Sequence, residues 1–180
     1  LDYLLEMAPD SPQASRWKSL REGIERNVRA HLWDEKRQKF IPHIYPEKSP
    51  IPEGFDELAI HYHGGTAIAI EAGLLSKDEI RTVNAQMLEN VRLSGMPSIG
   101  LTLYPVYPDG FFHGGMSKAY LYQNGGDWTW FGGRMIQQLV VNGMVEEAYA
   151  EIHPMIERVI QNDGFYEWYG KGGVPSGSGN

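Results

Sequence analysis

The sequence repeats one pattern twice, and this repeat is the strongest constraint on its fold. A histidine and two glycines at 63–65 open an apolar segment that ends at Gly73, and an acidic amphipathic segment follows. A phenylalanine and two glycines at 131–133 open a second apolar segment that ends at Gly143, and another acidic amphipathic segment follows. Each unit therefore indicates a buried helix joined to a helix with one apolar face. Set side by side, such hairpins predict two concentric layers with the buried helices inside.

Signals for the ends of helices support this interpretation. Ser11 and Pro12 are typical of an N-cap and a first helical residue, and the apolar spacing after them predicts a helix over 12–33. Ser76 and Glu79 form a capping-box pattern that begins another helix. The last helix of the repeat carries four glutamates on its predicted solvent face: Glu146, Glu147, Glu151 and Glu157.

We therefore predict an all-α fold, an (α/α) toroid of helical hairpins. A chain of 180 residues is long enough for a single domain, 1–180, with a real core. The first residues resemble the end of a helix without a cap, and the glycine-rich stretch at 170–180 stops inside a loop. We expect the chain to be a fragment of a larger domain.

Composition excludes several classes of partner and site. A net charge of -7 and a pI near 5.3 argue against nucleic acid and against an anionic membrane surface. The sequence has no apolar run long enough to span a bilayer, so we predict no membrane insertion. Without cysteine there is no disulfide and no thiolate metal ligand. Histidines at 61 and 63 lack a third ligand nearby, so we predict neither a metal nor a cofactor.

A glycine-broken stretch at 122–134 runs directly into the second apolar helix. Tryptophan rings offer flat apolar faces with a polar rim, and amides donate and accept at once, as vicinal sugar hydroxyls require. The stretch therefore predicts a sugar site, reached through a long aromatic loop at 94–121. In the competing interpretation, Trp128 and Trp130 are core residues and Asp127 is a helix N-cap.

Two motifs resemble the six-hairpin glycosidases. Tyr-Gln-Asn-Gly-Gly-Asp-Trp-Thr-Trp at 122–130 is similar to their "YxNGGxWPW" segment, with Thr129 where proline is common. Gly-Phe-Tyr-Glu-Trp-Tyr at 164–169 resembles the "YExY…G" segment that carries the general base in the trehalase and processing alpha-glucosidase groups. The resemblance covers residues 11–180. It implies an incomplete (α/α)6 barrel with about three of the six hairpins, and the remainder of the catalytic domain as a partner.

The resemblance also implies an inverting glycoside hydrolase acting on an oligosaccharide or polysaccharide. This chemistry needs one carboxylic acid for the leaving oxygen and one carboxylate that activates water. Glu167 is the predicted base, because its aromatic neighbours could raise its proton affinity by desolvation. Asp56, in the loop before the first buried helix, is the predicted acid, with an acid from the remainder of the catalytic domain as the alternative. The predicted sugar contacts are His61, Tyr62, His63, Tyr122, Gln123, Asn124, Asp127, Trp128, Trp130 and Trp168.

Other functions remain open at this point. A carbohydrate-binding protein on the same scaffold would use the aromatic residues and leave the carboxylates idle. A sugar isomerase or epimerase would use His61, His63 and His113 as proton carriers. A disaccharide phosphorylase would need cations for phosphate, and Arg134 is the only basic residue close to the 122–134 stretch. Hydrolysis is therefore the leading prediction.

Overall fold

The computed structural model describes residues 1–179, which form six α-helices and three two-stranded antiparallel sheets. The helices are α1 (Asp2–Met7), α2 (Ala14–Leu32), α3 (His63–Glu71), α4 (Lys77–Ser94), α5 (Thr129–Val141) and α6 (Val145–Gln161). The strands are β1 (Trp33–Asp34), β2 (Lys39–Phe40), β3 (His61–Tyr62), β4 (Leu103–Tyr104), β5 (Tyr166–Tyr169) and β6 (Pro175–Gly179). Each sheet pairs two strands that are consecutive in this numbering.

This architecture is mixed α and β, so the predicted all-α toroid is wrong. Helices account for 51% of the structure and strands for 11%. The segments between the helices contain many buried residues, and buried backbone N–H and C=O groups must be hydrogen-bonded. These segments satisfy their backbone groups by pairing with one another as short strands. Most of these strands have two residues, which is too short to show the alternation by which sequence indicates a strand.

A ladder of backbone hydrogen bonds connects the segments that precede α3 and α5. Thr102, next to β4, donates its amide to the Gly126 carbonyl at 2.9 Å and accepts from the His63 amide at 2.9 Å. Asp127 and Tyr169 of β5 exchange two backbone bonds of 2.9 and 2.7 Å. The starts of both apolar helices and the strand that carries the predicted base are thereby fixed to one another.

The two repeated hairpins are present as α3 with α4 and α5 with α6, and α3 packs against α5. Gly64 of α3 lies against the Phe131 ring, where an added Cβ would be 2.3 Å from a ring carbon. Gly73 and Gly143 end the two apolar helices with φ values of 73° and 79°. The main core lies between these helices and is formed by residues such as Ala67, Ile70, Val83, Met87, Met135, Leu139, Ala148 and Met155.

The structure confirms the helix predicted at 12–33 and the predicted start of α4, but the N-cap of α2 is Gln13 rather than the predicted Ser11. α2 begins two residues after the start of the predicted 12–33 segment and ends at Leu32. The Ser76 hydroxyl accepts from the Glu79 amide at 3.3 Å, and the Glu79 carboxylate accepts from the Ser76 amide at 2.8 Å. This is the reciprocal capping box that the sequence indicates.

Glu151 of α6 is buried, with 5% of its surface exposed, although the sequence places it on the solvent face. Asn84 of α4 donates to one of its oxygens at 2.6 Å. Glu151 Oε2 and Asn84 Oδ1 have no hydrogen-bond partner among residues 1–179. Burial raises the pKa of Glu151 to about 7; the Asn84 bond opposes this and the charge of Glu147 adds to it. A protonated Glu151 can donate to Asn84 Oδ1, which gives both atoms a partner.

We expect Glu151→Gln to stabilise the protein at pH 8 by up to about 3 kcal/mol. The folded-state pKa of Glu151 lies above its ordinary value of 4.5, so its contribution to stability is fully present below pH 4.5 and is lost as pH rises through about 7. Glutamine keeps the donor and removes the buried charge. Urea unfolding at pH 5 and pH 8 measures the effect, which should be much smaller at pH 5. Glu146→Gln, an exposed position on the same helix, is the control, and a Glu151→Gln variant less stable than wild type at pH 8 would contradict the expectation.

Candidate functional site

A cleft of about 560 Å³ opens where the first turn of α5 meets the segment leading into β5. We call it the aromatic cleft. Its walls are formed by Gln123, Trp128, Thr129, Trp130, Phe131, Phe165, Tyr166 and Glu167. The structure therefore brings four of the predicted site residues into one cavity: Gln123, Trp128, Trp130 and Glu167.

The two tryptophans at the start of α5 have different environments. The Trp128 indole donates to the Tyr122 carbonyl at 3.1 Å and meets the Tyr122 ring edge-on, with centroids 4.9 Å apart. Trp130 is 54% exposed, and the Arg134 guanidinium lies 5.0 Å from its ring centroid. Trp168 packs edge-on against Tyr122 at 6.3 Å. Trp128 and Trp168 thus fix the wall, while Trp130 offers an open ring.

Glu167 lies on β5 with its side chain exposed to solvent. Gly177 of β6 lies against it, since an added Cβ would be 2.4 Å from Glu167 Oε2. Gly177 also has a φ of 77°, which favours glycine. The predicted desolvation of the carboxyl group is not found. Tyr166 lines the same cleft, but Glu167 stays exposed, so its aromatic neighbours do not enclose it.

Asp127 has no exposed surface with which to contact a ligand. It forms an ion pair with Arg158 of α6 at 2.9 Å, and the Ser98 hydroxyl lies 2.9 and 2.7 Å from its two oxygens. Burial raises the pKa of Asp127, while Arg158 and Ser98 oppose the rise. The alternative interpretation of Asp127 as an N-cap is also wrong, because the N-cap of α5 is Trp128. Through its ion pair with Arg158, Asp127 connects α6 to the backbone ladder.

The side-chain amides of Gln123 and Asn124, in the stretch at 122–134, point in different directions. Asn124 is fully buried, accepts from the Tyr107 amide at 2.9 Å and donates to the Tyr107 and Lys118 carbonyls at 3.1 and 3.3 Å. Its side chain therefore holds the long loop in place. Gln123 is exposed on the wall of the aromatic cleft. Only Gln123 is available to a ligand there.

His61 and His63 are buried and line no part of the aromatic cleft. His61 Nε2 lies 3.0 Å from the Thr66 hydroxyl, and His63 Nε2 lies 3.1 Å from Asn90 Nδ2. Burial lowers the pKa of His63 to about 3 and that of His61 well below its ordinary value. Both imidazoles are therefore neutral near pH 7. In residues 1–179 no group of three or more His, Asp or Glu side chains is arranged to hold a metal ion.

Asp56, the predicted acid, is exposed just before a one-turn 3₁₀ helix at Glu57–Ala59. It occupies the N-cap position of that helix, but its side chain makes no capping hydrogen bond. Its carboxyl group is open to solvent but does not line the aromatic cleft. Its charge acts instead on Arg37 and Lys39 of the β1–β2 hairpin, so the structure does not bring the predicted acid and the predicted base together.

Glu57 is the centre of a hydrogen-bonded cluster that sequence reasoning missed. The hydroxyls of Tyr45 and Tyr107 each donate to Glu57 Oε1 at 2.7 Å, and His43 Nδ1 lies 2.8 Å from it. Tyr62 in turn donates to the Tyr107 hydroxyl at 3.3 Å. Burial by itself raises the pKa of Glu57, but the hydrogen bonds from Tyr107, His43 and Tyr45 lower it below its ordinary value. Glu57 is therefore a fixed, ionised carboxylate.

The assignment of function rests on these residues, because no family model and no curated protein matches the chain. None of the helices within residues 1–179 has the length and apolarity needed to cross a membrane.

Proposed function

We propose that the protein hydrolyses glycosidic bonds in an oligosaccharide or polysaccharide. The observation that carries the proposal is the aromatic cleft, where Trp130, Gln123 and Glu167 line the same space of about 560 Å³. An exposed aromatic ring stacks on the apolar face of a sugar, and an amide exchanges hydrogen bonds with its hydroxyls. A carboxylate beside such a ring is placed to activate water at the anomeric carbon.

Glu167 is the proposed general base and Asp56 the proposed general acid. Glu57 does not suit the acid role, because its hydrogen bonds hold it ionised while an acid must enter the reaction protonated. Asp56 is exposed and without a capping bond, but it does not line the aromatic cleft, so the proposed mechanism requires its loop to move toward Glu167 when substrate binds. An inverting mechanism requires the carboxyl groups of Glu167 and Asp56 to lie about 6.5–9.5 Å apart in the substrate complex.

The competing functions receive less support from the site. An isomerase acting in the aromatic cleft would need His61 and His63 at the substrate there, whereas both line no part of it, are buried and are held neutral. A phosphorylase would need a free cation beside the aromatic cleft. Arg134 is instead paired with Glu71 and stacked near Trp130.

Incubation with a panel of α- and β-linked oligosaccharides tests the proposal. We expect reducing sugar to be released without added phosphate, and proton NMR to show a product anomer opposite to that of the substrate. Binding without turnover would replace hydrolysis with a carbohydrate-binding function. Release of a sugar phosphate only when phosphate is present would replace it with phosphorolysis.

Replacing the open ring gives a direct test of where the sugar binds. We expect Trp130→Ala to weaken oligosaccharide binding about tenfold, or about 1.4 kcal/mol, because the stacking surface is lost. The fold should be unaffected, since the side chain is largely exposed. Isothermal titration calorimetry measures the affinity. Tyr149→Ala, an exposed aromatic residue outside the cleft, is the control, and equal affinity for both variants would move the sugar away from Trp130.

A further inference from the structure

A second cleft, of about 770 Å³, lies between the β1–β2 hairpin and α4. We call it the basic cleft, because its walls carry Arg37, Lys39 and Arg81 against a single carboxylate, Glu89. It shares no lining residue with the aromatic cleft. The basic cleft is therefore a separate cavity, although the charge of Asp56, the proposed acid, acts on its Arg37 and Lys39.

Lys39 is the unusual member of this cleft, since only 6% of its surface is exposed. Its ammonium group donates to the Ile60 carbonyl. Within residues 1–179, no carboxylate lies at ion-pairing distance from it. Burial lowers the pKa of Lys39 to about 8 and the charge of Arg37 adds to the effect, while the charges of Asp34 and Asp56, which lie beyond ion-pairing distance, oppose it. The side chain thus still carries a buried positive charge at pH 7, and such a charge is unfavourable without a counter-ion.

The other charges of the basic cleft already have partners. Arg37 pairs with Asp34 at 2.8 Å, and Arg81 pairs with Asp78 at 2.8 Å. The carboxylate of Glu89 pairs with Arg92 at 2.6 Å. Lys39 is therefore the cation of the cleft that an incoming anion would neutralise.

Two further polar atoms on the wall lack partners among residues 1–179. Gln86 Nε2 donates to the Arg37 carbonyl at 2.9 Å, which leaves Gln86 Oε1 buried as an unpaired acceptor. His61 uses Nε2 on Thr66, and its Nδ1 is buried and unpaired. A ligand with hydroxyl groups can donate to Gln86 Oε1 once a shift of the Gln86 side chain exposes this buried atom, while the anionic oxygen of the ligand accepts from Lys39.

We propose that the basic cleft binds a small polyhydroxylated anion, such as a sugar acid or a sugar phosphate, with its anionic group at Lys39. The anion neutralises the buried ammonium, and the hydroxyls give partners to the polar atoms of the wall. The binding should weaken as pH rises through about 8, because Lys39 loses its proton there in the free protein.

Calorimetric titration at constant ionic strength tests the site with glucuronate, glucose 6-phosphate, inorganic phosphate and glucose as probes. We expect glucuronate or glucose 6-phosphate to bind, and whichever binds more tightly identifies the anionic group as carboxylate or phosphate. Glucose should not bind in this cleft, and inorganic phosphate should bind more weakly than the sugar phosphate. Equal affinity for inorganic phosphate and glucose 6-phosphate would overturn the role of the hydroxyls, and the absence of binding by both sugar anions would overturn the site.

Lys39→Met is expected to weaken the binding of the sugar anion by about tenfold or more. The same variant should unfold at a higher temperature than wild type when no anion is present, because a buried charge has been removed. Lys36→Met, an exposed lysine on the same hairpin, is the matched control and should bind normally. Undiminished binding by Lys39→Met would contradict the proposal. Wild-type affinity that does not fall between pH 7 and pH 9.5 would contradict it without the use of any variant.

Discussion

Glu167→Gln is expected to lower the kcat of glycoside hydrolysis by about 10²- to 10⁴-fold, because glutamine cannot take a proton from the attacking water. Glutamine has nearly the same size and still accepts a hydrogen bond, so KM should change little. Steady-state kinetics on the best substrate of the oligosaccharide panel measures both constants.

Two comparisons make this experiment decisive. Glu157→Gln changes an exposed glutamate of α6 that lies outside the aromatic cleft, and it should keep the wild-type kcat. Calorimetry should show that Glu167→Gln still binds the oligosaccharide. A kcat within a few-fold of wild type for Glu167→Gln would exclude Glu167 as the base.

Asp127→Asn is expected to reduce the free energy of unfolding by about 3–5 kcal/mol. The variant leaves the Arg158 guanidinium buried without a counter-ion, beside Ser98 and the Tyr169 ring. It also weakens the site where α6 is joined to the backbone ladder. Urea unfolding followed by circular dichroism measures the loss.

The matched control for this effect is Asp78→Asn, which breaks the exposed pair with Arg81. It should change stability by no more than about 0.5 kcal/mol, since exposed ion pairs contribute little. Replacing both partners, with Asp127→Leu and Arg158→Met together, should recover much of the stability lost by Asp127→Asn. A loss below about 1 kcal/mol for Asp127→Asn would show that the buried pair is not important for the fold.

The helices could be predicted from the sequence because their signals are local. Ser76 and Glu79 lie three residues apart, and together they fix the start of α4. Gly73 and Gly143 mark helix ends through their own backbone conformation. Most of the short strands could not be predicted, because two residues are too few to show the alternation of a strand and because β3 pairs with β4, which is far away in sequence.

Glu151 shows why the solvent face of α6 was predicted incorrectly. The amphipathic pattern predicts that Glu151 faces solvent. Its hydrogen-bond partner, Asn84, is 67 residues away in sequence and is not part of that pattern. The Glu57 cluster was missed for the same reason, since Tyr107 is 50 residues from Glu57 in sequence. Single-sequence patterns carry no information on such distant pairs.

The candidate site could be predicted in composition but not in orientation. Gln123 and Trp130 face the aromatic cleft, while Asn124 and Asp127, within the same motif, are buried. The backbone has positive φ values at Tyr122 and Gly125, and it bends there, so side chains close in sequence point to different sides. The motif therefore predicts where a candidate site lies without showing which polar groups reach it.

The most direct test of the proposed hydrolase is a crystal structure of the Glu167→Gln variant with an uncleaved oligosaccharide. We expect a sugar ring stacked on Trp130, the side chain of residue 167 facing the anomeric carbon, and the Asp56 carboxyl group about 6.5–9.5 Å away across the scissile bond. An oligosaccharide bound away from the aromatic cleft, or bound there with no second carboxyl group near the scissile bond, would contradict the proposed mechanism.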